Sequence, residues 1–181
     1  MLVIIGPSAC GKTQIVNKLI SDFGYKKLVT YTTRPMRLNE KQGIDYNFIT
    51  EEEFKEKINN QFFIEYVKYN NNYYGTSYSD LSKDKVVIIE AEGLKSYLEK
   101  ARNQITVIFI RCSKPIRRIR MIERLDSEEN IQKRLNSDDI VFNENVQALA
   151  DYVIDSSNSN VYDCAKLVDS LYKKSVNSNA N

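Results

Sequence analysis

Residues 6–13 read GPSACGKT, with glycines at 6 and 11, a lysine at 12 and a hydroxyl at 13. Gly6, Gly11, Lys12 and Thr13 fit G-x-x-x-x-G-K-[ST] with no departure. A chain without Cβ atoms at those points can wrap tightly around a phosphate and point its N–H groups inward. Lys12 then brings a positive charge to the terminal phosphates, and the Thr13 hydroxyl can hold Mg²⁺. Pro7, Ser8, Ala9 and Cys10 complete the loop, so residues 6–13 together are the candidate site for ATP. A glycine turn that merely contains a lysine would not need its flanks, an apolar strand before it (MLVII) and an amphipathic helix after it. Cys10 reads as a small filler within the loop.

Other chemistries are excluded or disfavoured. The chain has no histidine, which rules out Ser–His and Cys–His hydrolysis. Its three cysteines, Cys10, Cys112 and Cys164, are few, odd in number and far apart, so neither a disulfide framework nor a Cys/His zinc site is expected. Lys and Arg number 26 against 24 Asp and Glu, a net charge of +2, which argues against general nucleic-acid binding. No basic leader precedes MLVII, and no apolar run approaches the ~20 residues of a membrane span. A soluble, cytoplasmic, reduced setting without membrane contact is therefore expected, with the chain a monomer or homodimer.

The elements that must position the loop follow from hydrophobic period. Residues 1–5 read as a buried strand, and 12–23 as a helix with Ile15, Val16, Leu19, Ile20 and Phe23 on one face. A strand is expected at 27–31, then a basic loop, a short strand in IDYNFI and a helix capped by Thr50. FFIEYVKYNNNYYGTS reads as a hairpin turning at Asn70–Asn72, since asparagine tolerates left-handed backbone. KVVIIEAEG and ITVIFIRC are buried strands, 114–125 and 127–138 charged helices, DYVID a last strand and 160–173 a closing helix. At 181 residues and 42% hydrophobic the chain can bury one sizeable core. Strands alternating with helices imply an α/β fold, a parallel sheet covered on both faces in three layers. The expected organisation is a core of 1–31, 79–113 and 140–174, an inserted mixed β/α lobe at 32–78, a helical lid at 114–139 and a disordered tail at 175–181.

TYTTRPMR, GIDYNFITEEEF, FIEY, NNYYGTS and DSEENIQKRL occur in the order and spacing of the guanylate kinase family, which the chain resembles over roughly residues 2–155. The resemblance implies Mg²⁺-dependent phosphoryl transfer from ATP to GMP or dGMP. It implies that Arg34 and Arg37, with the hydroxyls of Tyr46 and Tyr74, grip the phosphate of the monophosphate. Paired guanidiniums offer forked, charge-assisted hydrogen bonds to such a group. It places Glu65 on the N1–H and 2-amino edge of guanine, a donor pair that adenine lacks. Thr76, Gly75 and Thr30 join that site, Thr30 standing where the family has serine. Arg120, Arg124 and Arg134 match arginines that close over both phosphate tails and, with Lys12 and Arg34, form the catalytic set.

Departures accompany the match. The family's D-x-D reads here as Glu90 and Glu92, and the two alignments of that stretch leave open which aspartate Glu90 replaces. Glu90 is the candidate for both the metal, with Thr13, and the guanine. ERLD replaces the family's R-G hinge, so a stiffer or differently hinged lid is expected. Asp155 and Ser156 stand where the family has N-D beside adenine. Arg111, Lys114, Arg117 and Arg118 read as a solvated helix face. Two alternatives remain: a kinase for another acceptor, such as a different deoxynucleotide or a ribose bisphosphate, and a non-catalytic binding module of the same fold. Glu65 and Thr76 argue against the first, and the intact loop against the second.

Overall fold

The computed structural model describes residues 1–69 and 71–178. In chain order the elements are β1 (Leu2–Ile5), α1 (Lys12–Phe23), β2 (Lys26–Lys27), β3 (Tyr31–Thr32), β4 (Asn47–Phe48), α2 (Glu51–Asn59), β5 (Phe63–Tyr69) and β6 (Asn72–Ser77). They continue with β7 (Lys85–Ile88), α3 (Ala91–Ala101), β8 (Thr106–Arg111), α4 (Lys114–Glu123), α5 (Glu128–Val141), α6 (Glu144–Gln147), β9 (Tyr152–Asp155) and α7 (Val161–Ser178). The chain divides into two compact units.

The first unit spans residues 1–26, 83–91 and 105 onward. Its sheet has the order β2-β7-β1-β8-β9, and β7, β1, β8 and β9 run parallel. β1 is buried at all four positions, as a central parallel strand covered on both faces must be. Ile15, Val16 and Leu19 of α1 meet Cys164, Ala165, Val168 and Tyr172 of α7 over Leu2, Ile4, Ile108, Ile110 and Ile154. Each such side chain removed from water contributes roughly 1.5–3 kcal/mol, and together they fix the end of β1 from which the loop at 6–13 departs. This is the expected α/β class, with a parallel central sheet and helices around it.

The second unit comprises residues 27–82 and 92–104. Its sheet has the order β4-β3-β6-β5, with β5 antiparallel to β6, β6 antiparallel to β3, and β3 parallel to β4. Phe54 of α2 stacks on Phe63 and on Tyr73, with ring centroids 4.4 and 5.3 Å away. α2 starts in a full capping box, with the Thr50 hydroxyl accepting from Glu53 N–H and the Glu53 carboxylate from Thr50 N–H. The cap is where the sequence places it.

Three expectations differ from what is seen, and the hairpin is kept. The strand expected at 27–31 is two separate pairs of residues, β2 and β3. The hairpin forms, and Asn71 adopts φ 62°, while Asn70 lies outside the described residues. α7 continues to Ser178, so residues 175–178 are helical where a disordered tail is expected, and 179–181 lie outside the described residues. Finally, residues 92–104 belong with the second unit and not with the core. The cause is visible in α3: Leu94, Tyr97 and Ala101 form its buried face, and Lys100 Nζ donates to the carbonyl of Ile64 at 2.8 Å.

The connection between α4 and α5 carries strain. Leu125 adopts φ 62° with its side chain 91% exposed, in the ERLD stretch that lacks the family's glycine. A left-handed L-residue costs roughly 1–2 kcal/mol, of which glycine's greater chain entropy returns part. Leu125→Gly is therefore expected to stabilise the protein by up to about 1 kcal/mol, a rise in melting temperature of roughly 2–4 °C. Calorimetry checks this, and an unchanged or lowered melting temperature would show that the hinge is unstrained.

Candidate functional site

The loop after β1 has the backbone its glycines were read to supply. Gly6 sits at φ 144°, and a Cβ there would lie 2.1 Å from the carbonyl oxygen of Ile110 on the neighbouring strand. Gly11 sits at φ 93° and begins α1 without a side-chain cap. No acidic residue stands in the first turn of α1, so the helix N-terminus presents its amides and the positive end of its dipole undiluted. Between the glycines Ala9 is left-handed too, at φ 60°.

A cleft of ≈ 580 Å³ opens over this loop, lined by residues 9–13, Arg120, Arg124, Ser156, Ser159 and Cys164 among others. Lys12, Arg120 and Arg124 bring three cations to it, against the single carboxylate of Glu123. The Lys12 ammonium lies back on the loop, donating to Gly6 O at 2.5 Å and Pro7 O at 2.8 Å. Arg120 donates to Ser156 O at 2.8 Å and to Ala9 O at 3.3 Å, while Arg124 pairs with Asp126. Ser156 is buried and ties the loop down, its hydroxyl donating to Cys10 O at 2.7 Å. The Cys10 thiol is pushed up by burial, against the opposing influence of Lys12, which fits a filler and not a nucleophile. Such a cleft can hold and neutralise a polyphosphate.

Two expected members are placed elsewhere. Asp155 faces Arg111 at 2.9 Å and accepts from Ser157 N–H at 2.9 Å, and its neighbours Ser156 and Ser159 line the cleft in its stead. Those Ser157 hydrogen bonds, and then Arg111, hold the Asp155 carboxyl below its usual range. Arg134 is exposed on α5 and does not line the cleft. Arg117, expected on a solvated face, is the clear correction: it is 4% exposed. Its Nη1 donates to Asp138 at 3.0 Å and its Nη2 to Asp139 at 2.9 Å. The reason is that α4 and α5 pack together around Met121, Ile131 and Leu135, which encloses this side chain. Removing one partner of a buried ion pair costs about 3–5 kcal/mol. Arg111 and Lys114 are exposed as expected, while Arg118 is half-buried and forks onto the Glu128 carboxylate at 2.8 Å.

The second unit gathers most of the remaining candidates. Glu65 on β5 faces Thr76 on β6 in register, and the Thr76 hydroxyl donates to Glu65 Oε1 at 3.0 Å. Burial pushes the Glu65 carboxyl above the usual carboxylate range, with Thr76 and Lys100 pulling it back. A desolvated carboxylate with spare lone pairs is an acceptor waiting for N–H donors. Gly75 is needed for packing, since a Cβ there would come within 2.9 Å of Phe54 and 3.0 Å of Phe63. The Thr30 carbonyl accepts from Asn47 N–H at 2.9 Å. Tyr46 and Tyr74 lie edge to face at 6.1 Å, and the Arg34 guanidinium lies over the Tyr46 ring at 5.4 Å. Arg37 is exposed on the same loop. Glu90 falls in the first unit and Glu92 opens the second unit's stretch 92–104, both exposed at the junction of β7 and α3.

Sequence reasoning missed two members of this set. Glu40 accepts from Arg34 Nη2 at 2.7 Å and from Arg37 N–H at 2.8 Å, so one carboxylate spans the two arginines. Arg34, then the Arg37 amide, hold its pKa low. An acid within a basic loop was the available signal. Tyr97 is fully buried on α3, its hydroxyl has no hydrogen-bond partner among the described residues, and Thr76 and then Glu65 are the polar groups that act on it after burial itself. No signal in the sequence connects α3 to β5 and β6.

Comparison with known proteins supplies the context. The family model for guanylate kinase matches residues 1–174. The guanylate kinase of Legionella pneumophila (strain Paris) is 35% identical over 138 residues, 72% of this chain and 66% of that protein. That of Sulfurimonas denitrificans is 38% identical over 118 residues, 61% of this chain and 57% of its own length. The chain thus matches less than two thirds of the length of these relatives. The crystal structure of guanylate kinase from Anaplasma phagocytophilum superimposes with a TM-score of 0.66 at 25% identity, covering 97% of this chain and 85% of that one. A shikimate kinase from Acinetobacter baumannii, at TM-score 0.55 and 11% identity, shares the fold alone. With the family model spanning nearly the whole chain, this protein belongs to the guanylate kinase family.

Proposed function

We propose that the protein transfers the γ-phosphoryl group of ATP to GMP, giving ADP and GDP. The observation that carries this reading is the intact phosphate loop with Lys12, Arg120 and Arg124 lining one cleft. A module that only bound a partner would need no such concentration of phosphate-directed groups. The acceptor is read from Glu65 and Thr76, whose hydrogen bond leaves the carboxylate able to accept both N–H donors of the guanine edge. Arg34, Arg37, Tyr46 and Tyr74 take the monophosphate, with Arg34 held in place by Glu40. Residues 114–139 serve as the lid.

Phosphoryl transfer asks little covalent work of a protein and much alignment and charge. The acceptor is already a phosphate anion, so no general base is required. Lys12 leaves the carbonyls of Gly6 and Pro7 for the phosphates, and Arg120 and Arg124 spread the charge of the moving group while helping to exclude water. The Thr13 hydroxyl and the Glu90 carboxylate are hard oxygen donors of the type Mg²⁺ takes alongside substrate phosphates. Held by these residues, the ion would supply neutralisation of charge on the transferring phosphates. A coupled assay for ADP release tests the reading: release should depend on GMP and on Mg²⁺, and release no faster than the acceptor-free background would refute it.

A further inference from the structure

The candidate phosphate loop is held from outside itself. Asp138 is 8% exposed near the end of α5, yet it reaches Ser8, 130 residues earlier in the chain. Its Oδ2 accepts from Ser8 N–H at 2.9 Å and its Oδ1 from the Ser8 hydroxyl at 3.3 Å. The same Oδ2 accepts from Arg117 Nη1 at 3.0 Å, and Arg117 continues to Asp139, which also binds Lys114 at 2.6 Å. A carboxylate so enclosed is costly unless a cation faces it, and the buried Arg117 is that cation. Ser8 directly precedes Ala9, the left-handed residue of the loop. A non-glycine residue keeps that conformation only where its surroundings impose it.

We infer that Asp138 is a positioning residue for the phosphate loop, fixing the Ser8 peptide and thereby the turn at Ala9, with Arg117 as its counter-charge. The inference rests on the reading of this loop as the ATP site. It assigns to α5 a task separate from closing over substrate, because the contact is made to the loop's backbone. Charge-assisted bonds to a main-chain amide are among the stronger hydrogen bonds, and losing this one frees the loop to sample other turns. The consequence is weaker nucleotide binding, because only the fraction of loops in the competent turn can bind.

The test uses the full chain and two variants. Asp138→Ala removes the brace but leaves Arg117 with Asp139 alone and can lower stability. Arg117→Met with Asp138→Ala removes both charges, and replacing a buried pair by apolar groups is often neutral for folding. Amide hydrogen exchange at Ser8 is measured by NMR on nucleotide-free protein, and ADP affinity by calorimetry. For the double variant we expect a melting temperature near that of the parent, Ser8 exchange accelerated about tenfold or more, and an ADP dissociation constant raised roughly tenfold. KM for ATP should rise and KM for GMP should hold, a split that general loosening of the fold would not produce. Unchanged Ser8 exchange overturns the brace. Faster exchange with unchanged ADP affinity overturns its positioning role. A parent protein that binds no ADP overturns the nucleotide reading itself, and the inference with it.

Discussion

Lys12→Met is expected to lower kcat by at least about 10²-fold with little change in melting temperature. The estimate follows from losing one preorganised charge aimed at the transferring group, an effect of roughly 10²–10³ in rate. Methionine keeps the unbranched apolar stem and removes only the ammonium. In the structure that ammonium donates to Gly6 O and Pro7 O, part-buried bonds internal to the loop. Water can replace them at a cleft of this kind, so the stability cost stays near 1 kcal/mol or less. The two readouts separate the roles: rate loss at constant stability marks a group that acts on substrate, and joint loss marks a loop that has collapsed. A kcat within about tenfold of the parent would remove Lys12 from the chemistry.

Glu65→Gln is expected to lower kcat/KM for GMP by roughly 10²-fold, since two hydrogen bonds from guanine to a charged acceptor are replaced by one good bond and one donor facing a donor. AMP should gain relative to GMP. The titration of Glu65 sharpens the test. Its pKa is raised, chiefly by burial, from an ordinary 4.5, and only the ionised form accepts both donors. KM for GMP should therefore fall as pH rises through a window above the ordinary carboxylate range, and the variant should lose that dependence. Stability runs the other way. A carboxyl with a raised folded-state pKa binds more protons folded than unfolded, so it costs stability progressively as pH rises through the same window. At neutral pH the variant should then be no less stable than the parent. A variant that keeps the parent's GMP preference would dismiss Glu65 as the reader of the base.

Residues that act through contiguous sequence were the legible ones. The loop at 6–13 is local: its glycines, lysine and threonine are set by backbone needs within eight residues, and Gly6 and Gly11 show the positive φ those needs impose. Thr50 and Glu53 are legible for the same reason. Glu65 and Thr76, eleven apart across a hairpin, were reached through resemblance, and the strand register then brings them together. Arg117 was not legible. On α4 taken alone it is one more cation in a basic helix, and its burial arises only when α5 packs alongside and offers Asp138 and Asp139. Ser156 was misjudged by one position for a related reason. In β9 the charged Asp155 draws attention, but side chains alternate along a strand, and the next residue is the one turned inward onto Cys10. Leu125 could be read only as a missing glycine, and its backbone is left-handed all the same.

The proposed function makes this chain a reader of guanine on the phosphoryl acceptor, with ATP spent as donor. Its most direct measurement follows the γ-phosphoryl label of ATP into product at equal concentrations of GMP, dGMP, AMP, CMP, UMP and ribose 5-phosphate. Label is expected in the guanine nucleotides, at a rate at least about 10²-fold above every acceptor that lacks the N1–H and 2-amino pair. Label appearing in AMP, a pyrimidine nucleotide or the sugar phosphate as fast as in GMP would contradict it.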